Sequence, residues 1–177
     1  MGADKALLDF FGVPQVRRLA SLLEYIAPPV YVSVRESQIH EEGFAGLRHL
    51  PDRIDGIGPM AGLLAAFALD PVSAWLVVAV DLPWLTAATV KELLAARDHR
   101  MYATAFRIHG TDRPEPVCAI YEPRILPVLA RRAREKRYSL GLLRDLPIRL
   151  VQPERPRELA GINTPQELRA ALSATGK

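Results

Sequence analysis

The sequence has one cysteine, Cys118, and no long apolar run. A single cysteine excludes an internal disulfide and a metal site built from several thiolates. No apolar stretch approaches the roughly 20 residues that a membrane-spanning helix needs, so we expect no membrane association. No secretory signal is visible after Met1, and a cytoplasmic protein is the default expectation.

A strong excess of charge is also missing, because the net charge is only +3. One basic cluster stands out, at Arg131, Arg132, Arg134, Lys136 and Arg137. Such a cluster can bind nucleic acid or phosphate. More often it is the solvated face of a helix, and nucleic-acid binding therefore ranks last among the functions considered. The sequence is silent on the oligomeric state.

Apolar periodicity predicts an α/β protein with a mostly parallel sheet, because segments typical of strands alternate with segments typical of helices. The length of 177 residues favours a single domain over residues 1–177. Strands are predicted at 30–34, 46–50, 75–80, 102–108, 117–121 and 148–151. Helices are predicted at 14–26, 60–69, 86–97, 124–134 and 139–143, with a last one opened by Thr164 and Pro165.

Two of these strands, 102–108 and 117–121, can pair as a hairpin across the turn that contains Gly110. Pro114 and Pro116 lie at the entry to the second strand. Proline has no N–H for a ladder, so the pattern favours an edge or irregular position for this strand.

The most informative stretch is the unbroken apolar run from Trp75 to Val80, which ends at Asp81. A continuous run of this kind is typical of a strand buried on both faces. Ligands bind at the carboxyl ends of such strands in α/β proteins, which makes Asp81 the best candidate for chemistry. An equally weighted alternative is that Asp81 caps the helix that follows.

A glycine-spaced turn, Asp52 to Gly62, leads into the predicted helix 60–69 just before that strand. Glycines let the backbone approach a ligand closely, and a helix N-terminus favours anions. Glycine turns are common, and this signal gains weight from its position directly before the Asp81 strand.

Several motifs, taken in order, resemble the molybdenum cofactor guanylyltransferase family, the MobA-like nucleotidyltransferases. The motifs are MGADKALL from Met1, F-x-G-x-P from Phe10, GPMAG from Gly58, VDLPW from Val80 and INTPQEL from Ile162, and the block RPEPVCAIY from Arg113 also resembles the family's pattern. The resemblance covers essentially the whole chain. It implies a three-layer, Rossmann-like nucleotidyltransferase fold.

The resemblance also implies roles for residues that match the family motifs at the phosphate end of the site. Lys5 matches a lysine that contacts the nucleotide phosphates, Asp81 matches a Mg²⁺ ligand, and Asn163 matches a second position near the metal. One aspartate and one asparagine leave room for phosphate oxygens and waters around a hard cation. The alternatives are that Lys5 is a surface lysine and that Asn163 caps the last helix.

At the other end of the site, the resemblance implies a nucleobase pocket. Ser33 matches a position at the end of the second family strand, and Asp52 resembles an aspartate of the nucleotide pocket. The turn that contains Gly58, Pro59 and Gly62 matches a segment near the guanine base.

The function that this resemblance implies is Mg²⁺-dependent transfer of GMP from GTP to molybdopterin, with release of pyrophosphate. Transfer of this kind relies on positioning and charge neutralisation and needs no protein nucleophile. Related possibilities are a cytidylyltransferase or another sugar- or cofactor-phosphate nucleotidyltransferase. A different class is a non-catalytic homologue that keeps the fold without the phosphate loop.

One departure from the family is large. The family motif L-A-G-G-x-S-x-R and the apolar strand before it precede the M-G-x-D-K motif, and here the sequence begins at that methionine. The family's first strand and phosphate loop have no counterpart in this sequence. We expect the natural protein to carry roughly 20 further residues before Met1, the length of one strand and its loop.

Overall fold

The computed structural model describes residues 4–52, 54 and 56–174. Helices and strands are interleaved along these ranges, as the sequence predicts. The helices are α1 (Gln15–Glu24), α2 (Pro59–Leu69), α3 (Ala87–Ala95), α4 (Leu126–Arg134) and α5 (Pro165–Ala174). The strands are β1 (Val32–Val34), β2 (His49–Pro51), β3 (Trp75–Val78), β4 (Ala103–Arg107), β5 (Pro114–Tyr121) and β6 (Arg149–Val151).

The helix boundaries follow from local chemistry. Pro14 precedes α1, where its fixed φ suits a helix start, and Pro59 and Pro165 are the first residues of α2 and α5. The segment predicted as a helix at 139–143 is a 3-10 helix, Leu140–Asp145. Within the described ranges, no helix is both long and apolar enough to cross a membrane.

The strands form two sheets, and both differ from a simple parallel arrangement. β1 and β2 are parallel, with Val32 opposite His49. The larger sheet has the order β3-β5-β4-β6, in which β5 is antiparallel to β3 and β4, and β4 is parallel to β6. The α/β class is confirmed, but the larger sheet is mixed rather than mostly parallel. The reason is the short connection from β4 to β5, which only an antiparallel pair can use.

Helices cover both faces of the larger sheet, which gives three layers. Alternate residues of β5 point to opposite faces, as the pleat requires. Ala119 and Tyr121 pack with α2 and α4 through residues such as Phe67 and Leu129, whereas Cys118 and Ile120 belong to the cluster formed with α1 and α3. The expected three-layer architecture follows from this division of the core.

The predicted hairpin is present, but β5 is not an edge strand. It lies between β3 and β4, and its ladder with β4 shifts between Ala105 and Arg107. Pro114 and Pro116 lie on the side of that shift where the regular pairing is interrupted. An irregular position is therefore correct and an edge position is wrong. Pairing with β4 is interrupted at the bulge, so the ladder does not need the N–H groups that the prolines lack.

A cleft of about 760 Å³ lies between β1 and β3. Apolar side chains of α1 and α2, including Leu19, Leu23 and Leu63, line it. The rings of Tyr31 and Trp75 meet across it, with centroids 5.9 Å apart. The sequence predicts that β3 is buried on both faces, but all four of its residues are only partly buried, because β3 is the last strand of its sheet and borders this cleft.

The first prediction is that an added strand will fill the cleft and stabilise the protein. We extend the chain at Met1 by roughly 20 residues, a Val/Ile strand followed by a Gly/Ser loop. The free energy of unfolding should rise by about 3 kcal/mol or more, because unpaired buried backbone groups cost about 1–3 kcal/mol each. Urea unfolding of both chains measures the gain.

The control is an extension of equal length made of Gly and Ser alone. Such a segment can cover the chain end but cannot bury apolar side chains in the cleft. An equal gain in stability from both extensions would show that the cleft does not select a strand.

Candidate functional site

Asp81 lies three residues beyond β3, in a backbone segment that several elements hold in place. Its carbonyl accepts a hydrogen bond from the N–H of Ile162 (3.0 Å). The next carbonyl, that of Leu82, accepts from the side chains of Gln15 (3.1 Å) and Arg18 (3.2 Å), both on α1. These contacts fix the backbone on which the Asp81 carboxylate is carried.

Thr86 occupies the N-cap position of α3, so the alternative that Asp81 caps this helix is wrong. The hydroxyl groups of Thr86 and Thr89 donate to one carboxylate oxygen of Glu158, each at 2.6 Å. The start of α3 is therefore held by Glu158, and the Asp81 side chain is engaged elsewhere.

The Asp81 carboxylate and the Asn163 side chain converge on the ammonium group of Lys5. Lys5 Nζ donates to Asp81 Oδ2 at 3.1 Å and to Asn163 Oδ1 at 2.8 Å. The three residues are distant in sequence and belong to three different parts of the fold. The structure thus brings together the residues expected at the phosphate end of the site, and Lys5 is not an isolated surface lysine.

Lys5 begins a short 3-10 helix, Lys5–Leu7, that Asp4 holds in place. Asp4 Oδ1 accepts from the N–H of Ala6 (3.0 Å), and Asp4 Oδ2 accepts from the side chains of Gln38 and Arg35. Asp4 therefore ties the Lys5 backbone to the segment that follows β1. Sequence reasoning did not single out Asp4, Gln15 or Gln38, because their partners lie far away along the chain.

Asn163 precedes a capping box at the start of α5. Glu167 Oε2 accepts from the N–H groups of Asn163 and Thr164, each at 2.8 Å, and the N–H of Glu167 donates to Thr164 Oγ1 at 3.2 Å. The two N–H groups hold the pKa of the Glu167 carboxyl below its usual range. Thr164 is the cap, as predicted, and the Asn163 side chain is left to bond Lys5.

The residues expected at the base end also meet. Ser33 on β1 donates its hydroxyl to Asp52 Oδ1 at 2.5 Å, and the Asp52 N–H bonds the carbonyl of Val34 at 2.9 Å. A Cβ atom on Gly62 would lie 2.6 Å from Ser33 Oγ, so the start of α2 can approach β1 this closely only at a glycine.

Gly58 sets the direction from which α2 begins. Its φ of 63° and ψ of −150° fall in a region that is essentially restricted to glycine. Pro59 follows as the first residue of α2. Residues 53 and 55 of this turn lie outside the described ranges.

One cavity connects the two ends of the site. Its lining includes Lys5, Ser33, Pro59, Gly62 and Asp81. The remaining predicted residues each adjoin one of these, because Asp52 bonds Ser33, Gly58 precedes Pro59 and Asn163 bonds Lys5. Five of the eight predicted site residues therefore line the cleft between the sheets, and the other three adjoin residues that do.

Glu115 on β5 is a further carboxyl near Asp81 that the motif analysis did not assign. Burial raises its pKa, a hydrogen bond from the N–H of Val117 (3.2 Å) opposes the change, and the charge of Asp81 adds to it. Cys118, three residues on, is fully buried, and burial raises the pKa of its thiol to about 12. Its thiol stays protonated at neutral pH and cannot serve as a nucleophile.

The donor set at Asp81 fits a hard cation such as Mg²⁺. A carboxylate oxygen and an amide oxygen already share one cationic group, the Lys5 ammonium. Mg²⁺ is usually held by one or two protein oxygens together with phosphates and waters. Within the described ranges no group of three or more His, Cys, Asp or Glu residues is placed to hold a metal, so a site made of protein ligands alone is not found there.

Comparison with known proteins identifies the family. A family profile described as the MobA-like NTP transferase domain matches residues 1–150. The chain belongs to the MobA-like NTP transferase family. This confirms the resemblance on which the site residues were chosen.

Two relatives illustrate the range of this family. A molybdenum cofactor biosynthesis bifunctional protein of Synechocystis is 31% identical over 173 residues, which cover 94% of this chain and 48% of that protein. The chain thus spans about half the length of that relative. A molybdenum cofactor guanylyltransferase of Pseudomonas putida is 28% identical over 170 residues, which cover 94% of this chain and 87% of the relative.

A solved structure shares the fold of this MobA-like domain. The molybdopterin-guanine dinucleotide biosynthesis protein A of Archaeoglobus fulgidus superposes with a TM-score of 0.76 at 20% identity, covering 99% of this chain and 92% of that chain. At this identity the likeness supports the three-layer fold and carries no residue roles.

The second prediction concerns the close approach of α2 to β1. Gly62→Ala should lower the free energy of unfolding by about 1–3 kcal/mol, because the new methyl group overlaps the Ser33 hydroxyl and pushes it from Asp52. Urea unfolding measures the loss.

The matched control is the double variant Gly62→Ala with Ser33→Gly, which removes the side chain that the methyl group meets. The double variant should be more stable than the sum of the two single changes predicts. Strict additivity would mean that the two residues are not in contact.

The third prediction concerns the pH dependence of stability. Because the pKa of Glu115 is raised on folding, the folded state binds its proton more tightly than the unfolded state. This contribution is complete at low pH and is lost as the pH rises through the folded pKa. Glu115→Gln should therefore become more stable relative to the wild type as the pH rises above about 4, the usual pKa of an unfolded glutamate.

The measurement is urea unfolding at a series of pH values, with Glu36→Gln, an exposed carboxyl, as the control for the loss of one negative charge. A constant difference between wild type and Glu115→Gln across this range would contradict the prediction.

Proposed function

We propose that this domain transfers GMP from GTP to molybdopterin in the cytoplasm, with release of pyrophosphate and in dependence on Mg²⁺. The observation that carries the proposal is the convergence of Lys5, Asp81 and Asn163 beyond the end of β3. The relative named molybdenum cofactor guanylyltransferase supports this choice of nucleotide and acceptor.

The reaction joins an acceptor phosphate oxygen to the α-phosphorus of GTP and breaks the bond from that phosphorus to the β-phosphate bridge. Pyrophosphate takes the bonding electrons and leaves. The substrates supply both the nucleophile and the leaving group, so the protein acts by positioning and by neutralising charge. The buried thiol of Cys118 is consistent with such a mechanism.

Asp81 and Asn163 would hold the Mg²⁺ ion through their side-chain oxygens. When bound, the ion would neutralise phosphate charge and align the oxygens of the triphosphate. Lys5 would contact the phosphates as a compact positive charge and stabilise the departing pyrophosphate.

Ser33 and Asp52 would contribute to the base pocket with the turn at Gly58. Guanine presents N–H donors, and an ionised carboxylate accepts hydrogen bonds from such donors. The Ser33 hydroxyl bonds one oxygen of Asp52 and so orients this carboxylate. This orientation supports GTP as the substrate.

The fourth prediction tests the substrate. Pyrophosphate release is measured with GTP, CTP and ATP in the presence of molybdopterin and Mg²⁺, for the 177-residue chain and for the chain with the added strand. We expect release from GTP and its loss when Mg²⁺ is removed. Release from CTP alone would refute the guanylyl assignment, and no release from any nucleotide in either form would favour a non-catalytic homologue.

Asp81→Asn gives the matching test of the site. The rate with GTP should fall by about 100-fold or more, because a neutral amide neutralises no metal charge. Asp145→Asn removes an exposed carboxylate that pairs with Arg132 and is the control, with an unchanged rate expected. Equal rates for the two variants would place the chemistry elsewhere.

A further inference from the structure

The Lys5 ammonium lies where two oxygen ligands meet. Asp81 Oδ2 and Asn163 Oδ1 are both within 3.1 Å of Lys5 Nζ. These are the two oxygens assigned above to a divalent cation. A metal ion and an ammonium group cannot share this position, because the metal needs the same lone pairs and the two positive charges repel.

The two oxygen ligands are fixed more firmly than the lysine. The backbone at Ile162 bonds the Asp81 carbonyl, and the backbone N–H of Asn163 bonds Glu167. Lys5 reaches them through a flexible four-carbon side chain that is partly exposed. The lysine is therefore the member of the group that can move away with least cost.

The negative charge around Lys5 comes from two elements. Asp81 pairs with Lys5 directly, and the positive charge of Lys5 adds to the backbone N–H groups that hold the pKa of Glu167, on α5, below its usual range. Removing the ammonium would leave Asp81 without its paired cation. A cation that replaces the ammonium is therefore attracted by the same Asp81 carboxylate.

We infer that Lys5 is an internal stand-in cation, which holds Asp81 and Asn163 together in the metal-free protein and leaves when a divalent cation binds. The inference rests on the metal site proposed above. The displaced ammonium then becomes available to the nucleotide phosphates. Binding of a metal and binding of a triphosphate should therefore strengthen each other. The metal releases the ammonium that the phosphates bind, and the phosphates hold the ammonium away from the metal ligands.

The test is titration of the nucleotide-free chain with Mn²⁺, in which electron paramagnetic resonance measures the concentration of the free ion. Lys5→Met should bind Mn²⁺ about five- to tenfold more tightly than the wild type, since the metal no longer has to break two hydrogen bonds to a charged group. Arg35→Met is the matched control, because it also removes one positive charge near Asp4 without touching Asp81. Asp81→Asn tests the metal site itself.

The outcomes separate the two ideas. Tighter binding by Lys5→Met than by Arg35→Met, with loss of binding in Asp81→Asn, supports the inference. Equal affinities for the two cation variants would overturn it while the metal site stands. Unchanged binding by Asp81→Asn would overturn the metal site, and the inference with it.

A second measurement needs no variant. The wild-type chain is treated with an amine-reactive reagent at fixed pH with and without Mn²⁺, and labelling of Lys5 is quantified by peptide mass spectrometry, with exposed Lys91 as the internal reference. Labelling of Lys5 relative to Lys91 should rise at least about twofold when the metal releases the ammonium. A ratio that does not rise at a saturating metal concentration would overturn the inference.

Discussion

The pairing of β5 with strands on both sides is the constraint on which the rest of the structure depends. β5 joins β3 to β4, and its alternating side chains divide the core between the two helical layers. Beyond the end of β3 the N–H of Ala79 still bonds the carbonyl of Val117 at 2.7 Å, which keeps the chain in line as it approaches Asp81. The position of the candidate site thus depends on a strand that carries none of the residues first predicted for it.

Local signals in the sequence were sufficient to place the helices and strands, although several strand ends differ by two to three residues and the predicted helix 139–143 is a 3-10 helix. Pro59 and the Thr164–Pro165 pair mark helix starts through backbone geometry that involves only their neighbours. The apolar run before Asp81 likewise marked a strand that ends at the site. Direction and order in the sheet were not available in this way, because pairing joins residues that are distant in sequence. Pro114 and Pro116 therefore predicted an edge or an irregular position without deciding between them, and the structure has a bulge in an inner strand.

The same difference between local signals and long-range contacts applies to the candidate site. The motifs identified Lys5, Asp81 and Asn163, and the structure shows that they meet. The residues that position them, such as Gln15 and Asp4, had no recognisable pattern, because each acts through one hydrogen bond to a distant part of the chain. Glu115 lay within a noted motif, but only the antiparallel pairing of β5 brings it towards Asp81.

The cleft between the sheets has a consequence for the handling of the 177-residue chain. β1 and β3 both border it, and a strand without a neighbour presents backbone N–H and C=O groups to any extended segment. Extended segments of other copies are one source of such partners. Self-association through intermolecular strand addition should therefore grow with protein concentration, and dilute solutions should limit it.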